Sequence, residues 1–363
     1  MFQNWLHPLT ITNDQAEEFY FGNNIKRYEA EFPDLKATKI AIVGIDQREA
    51  DAVRKELYPL NFGFKGLHIA DIGNLRKHTP EFIIPLVREL LDSQIFPIII
   101  GRHFEQSTAQ YKAFNSLQKL ISLAIVDEKL RFMPGHIDHK AYFLNELIEG
   151  KDSDLFHLSF IGSQVHFSPQ ASLDFLDQKN YDYIRLGQAK SNLPELEPYI
   201  RDADLLCFNL AALKQAEAPG VVAPSPSGFV VEDACQIARY AGMSDKLKAL
   251  GIYGFRSSTD RKNLTAKAVA QMVWYFLDGF YNRKGDFPVS TKGMTEYIVD
   301  FKKLDYQLTF WYSPKSGRWW MQVPVKTQAK YKRHRLVPCS YNDYMLACQD
   351  ELPERLIHAM RRF

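Results

Sequence analysis

Residues 205–220, LLCFNLAALKQAEAPG, decide how the chain is read. Apolar side chains fill Leu205 to Phe208 without alternation, which suits a strand covered on both faces. The Pro219-Gly220 turn then opens a proline-rich loop, PGVVAPSPSGF. A strand of that kind belongs to a parallel sheet flanked by helices, and in such sheets ligands sit in the loops at the carboxyl edge. This loop nevertheless carries few reactive side chains.

Working outward, similar apolar runs recur at Lys39–Ile45, Leu67–Ile72, Phe96–Gly101, Ile121–Asp127, Phe156–Ile161, Tyr183–Leu186 and Leu250–Phe255; with Ala203–Asn209 they make eight strands of one wide sheet. Between them READAVRKELYPL, TPEFIIPLVRELLDSQ, QASLDFLDQK and LTAKAVAQMVWYFLDGFY place apolar residues at helical spacing. In the last, Trp274, Leu277 and Tyr281 form a stripe expected to face the core. The alternation predicts a three-layer α/β/α unit with a mostly parallel eight-stranded sheet over residues 38–284, after an N-terminal segment 1–37.

The pattern changes at NRKGDFPVS (282–290), and residues 285–363 read as an extension. There, DYQLTFWYSPKSGRWWMQVPV shows period-two aromatics around a Pro-Lys-Ser-Gly turn, which predicts a β-hairpin. The basic stretch KTQAKYKRHR follows, then a helix from about Ser340. Basic residues near Trp311, Trp319 and Trp320 could serve nucleic acid, but no nucleic-acid motif accompanies them; a solvated loop and a hairpin burying its tryptophans on the main unit is the expectation.

Bulk composition narrows the classes. The 45 Lys and Arg nearly balance 43 Asp and Glu, so no net field draws the chain to nucleic acid or membrane. Cys207, Cys235, Cys339 and Cys348 lack C-x-x-C spacing, which points to buried thiols rather than a zinc site or disulfide framework. The start, MFQNWLHPLTITNDQ, has no basic-then-apolar leader, and no run approaches the ~20 apolar residues of a membrane span, so a cytoplasmic location is expected.

Four strand-end segments, GRHFEQS (101–107), DEKLRFMPGHIDH (127–139), NLAALKQAEAPG (209–220) and RSSTDRKNLTA (256–266), carry a resemblance. With AVRKELYPL, LHIADIGNL and APGVVAPSPSGF, the chain from about residue 38 to 280 resembles the ureohydrolase family of arginase, agmatinase and formimidoylglutamase. The resemblance is nearest to the formimidoylglutamase branch. It implies an arginase-like fold and a pair of manganese ions bridged by water, whose lowered pKa supplies hydroxide to attack a guanidinium or formimino carbon.

Position by position, the implied ligands are altered. Phe104 stands at the family's first histidine, with His103 one position early; Asp127 is kept, but Lys129 replaces a histidine and Arg131 an aspartate. Asn209 and Ala211 take two aspartate positions, Lys214 and Gln215 the following Asp-Pro, and Gly254 a glutamate. Either His139 or Asp138 falls near the family's substrate-contacting histidine. Two divalent cations beside Lys129 and Arg131 would meet repulsion of about 4 kcal/mol per unit charge product at ~4 Å and an effective dielectric of ~20. The sequence therefore predicts that no cofactor is held, and that Lys129 or Arg131 fills the metal volume and pairs with Asp127.

Other groups carry less. His136, Asp138 and His139, with His103 and Asp127, could form an unrelated one-metal site, but ordinary loop hydrogen bonding explains them too. Asp260, Thr265 and Ala266 match the family pattern and also suit a helix cap. Cys207 lacks a neighbouring base, and Glu232 and Asp233 suit a helix start. The expectation is a catalytically inactive ureohydrolase-like protein that acts by binding, as a protein scaffold through its extension or as a small-ligand sensor; a protein partner or self-association is expected, with no membrane or nucleic acid. The alternative is a manganese-dependent C–N hydrolase of linear amidines.

Overall fold

A computed structural model describes residues 2–11, 17–115, 120–136, 140–150, 153–301, 306–323 and 329–362. Each of the eight apolar runs forms a parallel strand: β1 (Ile40–Gly44), β2 (Ile69–Leu75), β3 (Phe96–Ile100), β4 (Ile121–Val126), β5 (Leu155–Ser163), β6 (Asp182–Arg185), β7 (Leu205–Asn209) and β8 (Ala249–Tyr253). They lie side by side in the order β2-β1-β3-β8-β7-β4-β5-β6. The sheet has ten strands rather than eight, because Leu6–His7 and Lys26–Arg27 each add a two-residue piece beside β2.

Alternating side chains feed two cores, as strand geometry requires. Ile40, Ile42, Leu206 and Phe208 meet α1 (Gln47–Leu57), α8 (Val231–Met243) and α9 (Leu264–Tyr281). Ala41, Val43, Leu205 and Cys207 meet the other layer, built from α2 (Pro80–Asp92), α3 (Gln106–Lys112), α4 (Asn145–Ile148) and α5 (Gln170–Gln178). Short helices α6 (Leu186–Ser191) and α7 (Glu197–Arg201) lead from β6 to β7. The predicted stripe on α9 is corrected at one end: Leu277 is buried and Trp274 half-buried against Phe64, but Tyr281 at the last turn is 46% exposed.

The strand order matters for function. Because β3, β8, β7 and β4 are consecutive neighbours, the four loops singled out in the sequence leave the sheet side by side along its carboxyl edge.

The extension is more than a hairpin. β10 (Tyr306–Ser313) and β11 (Arg318–Gln322) pair across the expected turn, but β9 (Thr295–Phe301) and β12 (Leu336–Cys339) complete a four-stranded antiparallel sheet, followed by α10 (Tyr341–Cys348) and α11 (Glu354–Met360). Of the tryptophans, Trp320 is buried beneath the Arg201 guanidinium of α7, 4.2 Å from its ring centre. Trp319 sits among the extension's own Tyr297, Tyr312 and Tyr344, and Trp311 stays half-buried.

Where this sheet meets the main unit, charges gather at the amino ends of β4 to β8. Asp182 accepts from His157 at 2.7 Å, His358 at 2.9 Å and Arg362 at 3.3 Å. Asp202 pairs with Lys246 at 2.7 Å, and Asp204 takes the Ser122 amide at 2.9 Å together with Arg333. Burial alone would push the Asp182 carboxyl up, but His157, His358 and Arg362 outweigh it and hold it far below the usual range. Burial, helped by Arg362, pushes His157 down against the pull of Asp182, and burial with Lys246 pushes His334 down to about 2.

Candidate functional site

Asp127, one residue past β4, is fully buried at the carboxyl edge. Its Oδ2 accepts from Arg131 Nε at 2.9 Å; its Oδ1 accepts from the Glu128 amide at 2.8 Å and from Asn209 Nδ2 at 2.8 Å. Burial pushes the carboxyl up, while Arg131 and these two amides pull it back. Of the two cations foreseen as its partner, Arg131 is the one that bonds it. Lys129 is half-buried and close enough to Glu128 for its charge to lower that carboxyl.

Among the described residues, the neighbouring loops bring no further carboxylate to this group. Phe104 after β3 is buried edge-on against Phe143 and tilted on Tyr253, with ring centres 5.5 and 6.0 Å away. His103 turns outward, 45% exposed and 3.6 Å from Glu105. Ala211 is buried, and its amide donates to Asn209 Oδ1 at 3.2 Å. After β8, Gly254 adopts φ +93°, and a Cβ there would meet Asn209 Oδ1 at 2.5 Å. The structure thus joins Asp127, Arg131 and Asn209, while His103 stays apart.

No family model matches the chain. Formimidoylglutamases of Staphylococcus aureus strains JH9 and Newman are 24% identical to it over 194 residues, 49% of this chain and 60% of theirs. The chain therefore matches under two thirds of those relatives' length. Among solved structures, Trypanosoma cruzi formiminoglutamase with Mn2+ aligns with a TM-score of 0.63 at 17% identity, over 69% of this chain and 96% of that one. Bacillus subtilis formimidoylglutamase gives 0.64 at 14% over 77% and 98%, and Thermoplasma volcanium agmatine ureohydrolase 0.54 at 18% over 68% and 91%. The chain has the arginase-like fold and is similar in sequence to formimidoylglutamases over about half of its length.

This corrects one expectation. The expectation of no cofactor is contradicted by the structural neighbour, the T. cruzi formiminoglutamase, which holds Mn2+. Tested against that ion, the residues present do not fit a dinuclear centre as they stand. Such a centre needs several anionic oxygens around two divalent cations. Here the ureohydrolase ligand positions offer a phenyl ring, a methyl group, an amide and a guanidinium around a carboxylate whose two oxygens are already bonded.

The remaining candidates fall into ordinary roles. His136 is exposed, with Nδ1 3.0 Å from the Pro134 carbonyl, and Asp138 and His139 lie outside the described residues. Asp260 caps α9, accepting from the Thr265 and Ala266 amides at 2.9 Å each. Asp233 accepts from the Val230 amide at 3.2 Å at the start of α8, and Glu232 lies in the same first turn. Lys214 is half-buried and Gln215 exposed beside the proline-rich loop. Cys207 is buried, and burial raises its thiol well above the ordinary value, so it is held protonated.

Sequence reasoning passed over Glu128. It is buried beside Asp127; burial and then that neighbour raise its carboxyl, and its Oε2 has no hydrogen-bond partner among the described residues. The signal was present in the Asp-Glu pair closing β4, but matching to the family pattern assigns that position nothing.

Proposed function

We propose that this chain is a ureohydrolase-fold protein that works by binding, as a scaffold or small-ligand sensor, and does not hydrolyse amidines. One observation carries the reading: both oxygens of Asp127 are engaged by Arg131, Asn209 and the Glu128 amide. A hydrolase of this kind needs its carboxylates to hold and orient a nucleophile. Here the retained carboxylate neutralises a guanidinium instead.

The reading divides the chain into an N-terminal segment 1–37, a ureohydrolase-like unit 38–284 and an extension 285–363, and gives partner contact to the extension. Tyr297, Ile298, Tyr341 and Met345 expose apolar surface there. A cytoplasmic site of action belongs to the same proposal; among the described residues no helix is long and apolar enough to cross a membrane. The likeness to manganese-holding formiminoglutamase favours a second reading, a manganese-dependent C–N hydrolase of a linear amidine.

The deciding experiment incubates the protein, with manganese supplied, with N-formimino-L-glutamate, agmatine or L-arginine and measures formamide or urea. No release above buffer is expected; turnover with any of the three would sink the binding reading in favour of the second. Replacing Phe104→His, Lys129→His, Arg131→Asp, Asn209→Asp and Ala211→Asp together should raise manganese affinity over the unaltered protein. An unchanged affinity in a folded variant would mean that the loops no longer hold the family geometry.

A further inference from the structure

On the opposite edge of the sheet, α2, the end of α3, α4 and the segment entering β5 border a cavity of about 410 Å3. Helices of a parallel sheet run against their strands, so this cavity opens at the amino edge, away from Asp127. Its walls combine Ile84 and Leu147 with Arg88, Tyr111 and Asn115. Three polar atoms on those walls, Arg88 Nε, the Tyr111 hydroxyl and Asn115 Oδ1, are buried with no hydrogen-bond partner among the described residues. Tyr111 is 1% exposed, and its polar neighbour, Ser153, acts on the phenol but gives its own hydroxyl hydrogen to the Leu147 carbonyl.

Buried polar groups are nearly always bonded, so three unbonded ones on one cavity call for a polar occupant. Their chemistry says which. Arg88 presents a donor and a positive charge with no carboxylate in ion-pair contact among the described residues, whereas the neighbouring Lys112 and Glu146 neutralise each other. It therefore asks for an anionic acceptor. Asn115 Oδ1 asks for a donor, the Tyr111 hydroxyl can serve either group, and the aliphatic walls suit a short apolar side chain. We propose that this cavity binds a free apolar α-amino acid, with its carboxylate on Arg88 and its ammonium on Asn115. The inference stands apart from the reading of the Asp127 edge, and the amidine assay does not bear on it.

The test measures thermal shifts and calorimetric titration of the full chain with each proteinogenic L-amino acid, then with the amine and the carboxylic acid derived from the best binder. At least one apolar amino acid should raise the melting temperature in a saturable way, and both truncated analogues should bind more weakly. Arg88→Gln should weaken binding roughly tenfold to a hundredfold. Tyr111→Phe should weaken it roughly tenfold or less. Binding of no amino acid, or binding indifferent to both substitutions, overturns the proposal; so does a crystal structure grown with the best binder that shows the cavity filled by water alone.

Discussion

The two edges of the central sheet treat charge in opposite ways. At the amino edge, Asp182, Asp202 and Asp204 each face at least one cation or imidazole supplied by another segment, several of them from the extension. At the carboxyl edge, one buried carboxylate is answered by a guanidinium four residues along its own loop. The amino edge spends its acids on holding two sheets together. The carboxyl edge, where ureohydrolases do their chemistry, keeps a self-contained pair. The difference is that the amino edge gathers its ionic groups where the extension docks, while the carboxyl edge balances its charge within one loop.

The comparison breaks most severely at its hub. Asp182→Asn removes the charge that His157, His358 and Arg362 share, and stranding buried partners costs roughly 3–5 kcal/mol; urea unfolding should show that loss. A change under about 1 kcal/mol would mean the network is not stabilising in sum. Arg131→Met at the other edge should cost roughly 3 kcal/mol, because Asp127 is left charged and buried. Adding Asp127→Asn to it should recover part of that loss, and strictly additive effects would show that the pair is not coupled.

Acid sharpens the same contrast more gently. His157 and His334 have folded pKa values below the unfolded value of about 6.5, so the unfolded chain takes up protons that the folded chain refuses. Stability contributed by their neutral forms is complete above that value and falls with pH below it, by up to ~1.4 kcal/mol per pH unit for each ring. Melting temperature followed from pH 7 to 5 should fall, and His334→Gln should flatten the slope; a level profile would contradict the burial of both rings.

How much of this could be read in the sequence depends on locality. Most of the parallel strands were legible because they are largely apolar runs covered on both faces, as in β1, β3, β4 and β7, whereas β6 is short and ends on the exposed Arg185. Leu6–His7 and Lys26–Arg27 were not, since two residues show no period. β12 escaped because Pro338 argues against a strand, yet it sits at a sheet edge, where a missing amide hydrogen is tolerated. At the site, the altered ligand positions were legible one by one, and Arg131 reaches Asp127 from four residues away. The amino-edge network was invisible: Ser122, His157, Asp182, Lys246, His334 and Arg362 are far apart in the chain, and nothing but the fold brings them together.

Gly254 and Asn209 hold each other in place on this loop. The glycine's backbone lies where L side chains are strained, and the atom that any larger residue would strike belongs to Asn209, which is itself bonded to Asp127. A side chain at 254 would have to displace the Asn209 amide. Changing Asn209 in turn loosens the carboxylate it steadies, so neither position is free to vary alone.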